Sequence, residues 1–354
     1  MRLCGCILFA ALRVISAHIP VILVFVFIAL DSLLVGISLF SGSLPTELGM
    51  LSGLNHLSLV HCDLITSPLP SELGELSNVF FMNMRSNSFT GTLPTELAKM
   101  SLLKELWLND NLLTGTVPSQ PPGLIGLHLD QNNLEGSLPS QLGQLTALEQ
   151  LRLSQNQFTG KLPSEIGLLS KLYNLELRDN QLTGTLPSEL CLLNGNLTSM
   201  ASGVEMNQYQ PYSDLDLANN LLTGDLPTDL GKLTVWEKLD LSNNLFGGAI
   251  PSQLGRLTLM EELKLSQNDL VGFIPSELGL LHKTLVSLDL SQNQLTGTLP
   301  TELCLMKNTT SLLNISWNIL SGIVPPLLCQ LNESIFDFDC SDTLCGCDDC
   351  ICGR

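Results

Sequence analysis

One unit, roughly L-x-x-L-x-L-x-x-N-x-L-x-G-x-L-P-x-x-L-G-x-L, recurs from about residue 30 to residue 325. Its prolines fall at Pro45, Pro70, Pro94, Pro118, Pro139, Pro163, Pro187, Pro227, Pro251, Pro275, Pro300 and Pro325. Six of the eleven intervals are 24 residues, three are 25, one is 21 and one is 40. A period in the twenties specifies stacked coils, because no single coil can bury its own leucines. Such a chain specifies a surface, and the question becomes what that surface holds.

Each residue type in the unit has a physical job. In Leu151-Arg152-Leu153 the alternation is that of a short half-buried strand, leucines inward and Arg152 outward. The same pattern predicts strands at Leu57–Leu59, Met82–Met84, Leu106–Leu108, Leu127–Leu129, Leu175–Leu177, Leu215–Leu217, Leu239–Leu241, Leu263–Leu265, Leu288–Leu290 and Leu313–Ile315, stacked into one parallel sheet. Three residues on come Asn87, Asn111, Asn132, Asn156, Asn180, Asn220, Asn244, Asn268, Asn293 and Asn318, with Cys62 in the first complete repeat. A buried amide there can satisfy backbone groups of neighbouring coils and form a ladder. Gly91, Gly115, Gly160 and Gly184 permit a tight turn, and the proline fixes the next segment.

The phrases Phe-Thr-Gly-Thr-Leu-Pro at 89–94, Leu-Thr-Gly-Thr-Leu-Pro at 182–187 and Leu-Ser-Gly-Ile-Val-Pro at 320–325 narrow the fold. Over about 300 residues the chain resembles plant-type leucine-rich-repeat proteins, such as receptor-kinase ectodomains and polygalacturonase-inhibiting proteins. The resemblance implies an α/β repeat solenoid. This is a leucine-rich-repeat arc with a concave parallel β-sheet and short 3₁₀ and β segments on its other faces. No kinase motif follows the repeats, and the paired-cysteine amino-terminal cap with its tryptophan motif is lacking.

The formal net charge of −18 argues against nucleic acid or an anionic membrane surface as partner. Part of this acidity belongs to the scaffold. Glu47, Glu72, Glu96, Glu165, Glu189, Glu277 and Glu302 sit in Pro-Ser/Thr-Glu-Leu/Ile, where Ser or Thr can cap a helical turn and the acid favours its positive end. At the amino end, Arg2 and Arg13 precede an apolar run from Ile19 to Leu30, so residues 1–29 read as a signal peptide or signal anchor. Leu33 and Val35 then fit a degenerate first repeat. The solenoid spans 30–328 with an insertion at 193–211, in which Tyr209 is the aromatic; residues 329–354 form a Cys-rich carboxyl-terminal cap. The 21-residue interval, Ser119-Gln-Pro-Pro-Gly123, deletes part of the convex turn.

The positive-first topology places the repeats outside the cytosol, extracellular or at the cell-surface membrane, with a cytoplasmic amino terminus if the anchor is uncleaved. Cys304, Cys329, Cys340, Cys345, Cys347, Cys350 and Cys352 are disulfide candidates for a cap over the last coil. Cys-x2-Cys at 347–350 is half of a zinc pattern, but no second knuckle or His pair follows, so no metal or other cofactor is expected. Cys191 fills the same Leu-Cys slot as Cys304 and reads as a buried thiol. Sequons stand at Asn196, Asn308, Asn314 and Asn332.

Function belongs to the outward positions of the strands. In later repeats these are uniform: Asp240 and Ser242, Lys264 and Ser266, Asp289 and Ser291 read as solvated scaffold. Earlier repeats depart from this, and Arg85, Trp107, Asn109, His128, Asp130, Arg152, Glu176 and Arg178 form the candidate ligand-binding strip. Trp236 replaces a core leucine, and Trp317 reads as packing near the cap. No phosphate loop or nucleophile elbow appears, which argues against an enzyme. The expected function is non-catalytic recognition of a protein, peptide or glycan. The membrane would be engaged only through the amino-terminal segment, and the alternative is a structural or adhesive wall or matrix role.

Overall fold

The computed structural model describes residues 32–36, 43–61, 67–193, 213–328 and 336–337. The targeting segment, Cys62, nearly all of the insertion with Asn196 and Tyr209, Asn332 and the cysteines from Cys329 to Cys352 lie outside the described residues. Among the described residues no helix is long and apolar enough to cross a membrane.

Among the described residues, thirteen parallel strands form one sheet, each paired with the strand of the next coil. Ser32–Gly36 leads, with Leu33 opposite Leu57 and Val35 opposite Leu59. The central strands are three residues long and start one residue before the first leucine, as in Glu105–Trp107, Gln150–Arg152 and Asn174–Glu176. The leucines stack in line from coil to coil, for example Leu127 on Leu151 on Leu175, and they belong to one continuous core. The 40-residue interval leaves this register intact: Leu175 pairs directly with Leu215.

The asparagine ladder is present as expected. Asn156 Nδ2 donates to the carbonyls of Leu129 in the previous coil and Leu153 in its own, and Asn156 Oδ1 accepts the Leu134 N–H at 2.9 Å. Asn111, Asn132, Asn180, Asn220, Asn244, Asn268, Asn293 and Asn318 repeat the arrangement. The residue before each rung adopts a left-handed conformation, with φ between 51° and 58° from His61 to Trp317. The strand must turn sharply there. Most of these positions carry Ser, Asp, Asn or Gln, and Asp and Asn tolerate that region well.

The proline segments lead into single 3₁₀ turns such as Ser164–Leu168 and Ser252–Arg256. Capping differs from expectation. The proline itself is the N-cap residue, and no side chain caps the turn. Displaced to the first helical position, Ser164 donates instead to its neighbour's carboxylate, Glu165 Oε2 at 3.2 Å; the acid keeps its place in the first turn. The short coil after Pro118 carries no 3₁₀ turn, in keeping with its deleted convex segment.

A second glycine per unit, in Leu-Gly, has a packing role. A Cβ on Gly143, Gly231 or Gly255 would strike the backbone of the 3₁₀ turn in the next coil. Three described units carry another residue in this slot: Ala98 precedes the coil without a 3₁₀ turn, Cys191 lies within the 40-residue interval, and Cys304 lies in the last described 3₁₀ segment. Cys191 is a buried free thiol, as expected, and burial pushes its pKa up to about 11. Cys304 is buried too.

On the flank beside the sheet, short strands from Thr114–Gly115 to Leu245–Gly247 form a six-stranded strip, and three more follow. Trp236 is buried as expected, its Nε1 donating to the Leu193 carbonyl at 2.7 Å. Trp317 holds a left-handed backbone position and is 70% exposed; the cap beside which the sequence places it lies outside the described residues.

Candidate functional site

Three columns of side chains run along the concave face. The central one, between the paired leucines, reads Trp107, His128, Arg152, Glu176, Asp216, Asp240, Lys264, each opposite the next in register. A second column lies two residues earlier, on the same face by strand alternation: Phe81, Glu105, Gly126, Gln150, Asn174, Asp214, Lys238, Glu262. The sequence reading missed this column because it placed the strand starts at the leucines. Counting back two from each central residue would have found it. The third column, two residues after the centre, holds Arg85, Asn109, Asp130 and Arg178.

The early coils form an aromatic patch. The Trp107 indole lies parallel on His128, with centroids 5.0 Å apart, and meets the edge of Phe81 at 5.3 Å. The Arg85 guanidinium sits 5.7 Å from the Trp107 ring centroid, in cation–π range. Trp107 Nε1 donates to Glu105 Oε2 at 3.1 Å. His128, expected to face outward, is buried at 8% exposure between the indole and Arg152, so it supports the patch from beneath. Burial, then Arg152, lowers its pKa to about 3 and keeps the ring neutral. Its Nε2 pairs with Gln150 Oε1 at 3.1 Å, and Gln150 Nε2 donates to the Tyr173 hydroxyl at 2.7 Å.

Further along, the face turns ionic. Arg152 Nε lies 3.3 Å from Glu176 and donates to Asn174 Oδ1 at 3.2 Å. Arg178 is exposed; its Nε holds Asp179 at 3.0 Å and one terminal nitrogen lies 3.9 Å from Asp216. Beyond it Arg178, Asp214, Asp216, Lys238, Asp240 and Lys264 line a shallow hollow with Glu262. Against desolvation, hydrogen bonds from Lys238 and Lys264 hold Glu262 below the usual carboxylate range. Desolvation, reinforced by neighbouring carboxylates, raises Asp214 to about 7 and Asp216 to about 6. Asp240 and Lys264, read from the sequence as scaffold, thus stand in the most charged part of the face.

The structure brings Arg85, Trp107 and His128 into one stack and joins Arg152 to Glu176. Asn109 is half-buried, and its carbonyl accepts the Ser86 N–H. Asp130 is half-buried, and burial raises its pKa to about 6. At the far end, Asn314 Oδ1 is engaged by Ser316, and Asn308 closes the 3₁₀ segment that starts at Thr301. Among the described residues no group of His, Cys, Asp and Glu is arranged to hold a metal ion.

Comparisons with known proteins agree with this geometry. The Leucine Rich Repeat family profile matches residues 147–169, 171–193, 213–233, 236–257 and 284–306. The plant peptide hormone receptor RGFR1 in complex with RGF2 superposes with a TM-score of 0.75 at 30% identity, over 82% of this chain and 44% of that one. The ectodomain of the Arabidopsis receptor kinase HAESA, in complex with an extended IDA peptide hormone ligand, gives 0.71 at 31% identity, over 84% and 47%. The chain thus spans less than half the length of either receptor chain. A Leptospira interrogans LRR protein is 30% identical over 79% of this chain and 70% of its own, with a TM-score of 0.57. The curated proteins return no match. The repeated unit, the stacked coils and these matches agree, and the chain belongs to the leucine-rich-repeat family.

Proposed function

We propose that the chain is a non-catalytic recognition protein, displayed outside the cytosol, that binds a polypeptide along the concave face from Arg85 to Arg178. The observation that carries this reading is the Arg85–Trp107–His128 stack beside Arg152 and Glu176. A preorganised aromatic and arginine group next to charges of both signs has the make-up of a binding hot spot. The peptide complexes of the two receptor neighbours support a peptide over a glycan.

The test is a pull-down from extracellular extract with wild type, Trp107→Ala and the control Asp289→Ala. Trp107→Ala should keep the circular dichroism of the fold and cost about 2 kcal/mol or more of binding, roughly thirtyfold. Asp289→Ala should change little. Equal capture by all three would overturn the reading and favour a wall or matrix role. Exposure outside the cytosol is checked separately, by protection of the repeats from protease in sealed microsomes.

A further inference from the structure

One position in the second column has no side chain. Gly126 lies opposite Glu105 in register, between Glu105 and Gln150, and leaves a notch in the concave face. The Glu105 carboxyl fills it: a Cβ on Gly126 would fall on Glu105 Oε2. From this notch Oε2 accepts the Trp107 indole N–H at 3.1 Å, while the indole lies within 4° of parallel to His128. Glu105 is 7% exposed, an unusual position for a carboxyl with no cation bonded to it among the described contacts.

We propose that Glu105 is a proton-operated positioning residue: ionised, it holds Trp107 flat on His128, and protonated, it loosens that grip. The proposal rests on the reading of Trp107 as the ligand anchor and assigns that anchor a regulator. A carboxylate accepts an N–H more strongly than a neutral acid does, so the bond weakens when the proton arrives. Burial raises the Glu105 pKa to about 7, against the pull of the Trp107 bond and with a smaller push from Glu149. The change therefore falls near neutrality.

The titratable and charged groups around Glu105 are few. Glu149 and Tyr173 face it from the following coils. Just before its strand, Lys104 is turned to the Gly123 carbonyl at 3.1 Å. Arg85 lies over the indole, and His128 is held neutral through the whole range by its pKa of about 3. His56 lies two strands back in the same column, against Phe81, and Asp130, one coil on, has its pKa raised to about 6, so the Glu105→Gln variant is what assigns a transition near pH 7 at the indole.

The experiment needs no ligand. Tryptophan emission of the full chain is titrated between about pH 5 and 9, and the Trp107→Phe spectrum is subtracted to remove Trp236 and Trp317. The difference spectrum should titrate with one midpoint near 7. In Glu105→Gln it should stay at the acid-limb value at every pH, with acrylamide quenching as high as in acidified wild type. A titration that persists in Glu105→Gln, or a flat wild-type difference spectrum, would overturn the proposal. If the glutamine variant does not fold, the indole N–H resonances of wild type give the answer alone: one of three should shift with that midpoint, and none shifting overturns the idea. Failure here would leave the pull-down reading untouched, since no partner enters the measurement.

Discussion

Asn156 makes four hydrogen bonds with one side chain: three donated to the carbonyls of Leu129, Leu153 and Ser154, one accepted from the Leu134 N–H. All of these groups are away from water, so truncation strands buried donors and acceptors in two coils at once. Asn156→Ala is expected to cost about 3 kcal/mol, read as a drop in urea midpoint with little change in slope. This rung was legible in the sequence because asparagine recurs at a fixed offset where nothing but backbone can be its partner. The residue before it was not legible. Asp110, Gln155 and Asn243 share a left-handed backbone but little side-chain identity, and the positive φ is imposed by the turn. The same holds for His128: its burial depends on Trp107 and Arg152 lying across it, a cross-strand fact that strand alternation alone does not contain.

At the scale of the coil, the Leu-Gly glycine makes a direct test of packing. Gly255→Ala would push a methyl into the Glu277 carbonyl of the next 3₁₀ turn, where backbone cannot yield as a flexible side chain can. The expected cost is about 1–3 kcal/mol. Ala98→Gly, at a slot facing a coil without a 3₁₀ turn, should cost less than about 1 kcal/mol, the ordinary penalty of added chain freedom. Thermal melts of the two variants side by side decide it, and equal losses would mean that the slot has no steric role. Coil type, stacking order and the aromatic stretch from Arg85 to Trp107 could be read from the periodic leucines and their departures. The Glu105 and Asp214 column was overlooked because the strands start one residue before the first leucine, although counting back two from each central residue reaches it.

For the whole molecule, the concave carboxyls set the pH dependence. Glu105, Asp130, Asp214 and Asp216 have folded pKa values of about 7, 6, 7 and 6, above ordinary values of 4.5 for Glu and 3.8 for Asp. The native state therefore binds more protons than the unfolded chain in this window. Their contribution to stability is complete below about pH 4 and is lost as pH rises through 6 to 7. The midpoint of thermal unfolding should fall between pH 5 and pH 8, and Glu105→Gln combined with Asp214→Asn should flatten the fall. A midpoint that rises over that range would mean that other groups dominate. The unbroken pairing of Leu175 with Leu215 has a mechanical consequence. Pulled from its ends, a stack of coils pays out chain one coil at a time. Most coils of 24 or 25 residues would release roughly 80–90 Å of length. The coil between Pro187 and Pro227 occupies one ordinary step of the sheet yet stores 40 residues, so its rupture would release about 140 Å. In a force–extension trace that single long step would mark the position of the Trp107 coil, two ordinary steps and one short one towards the amino end.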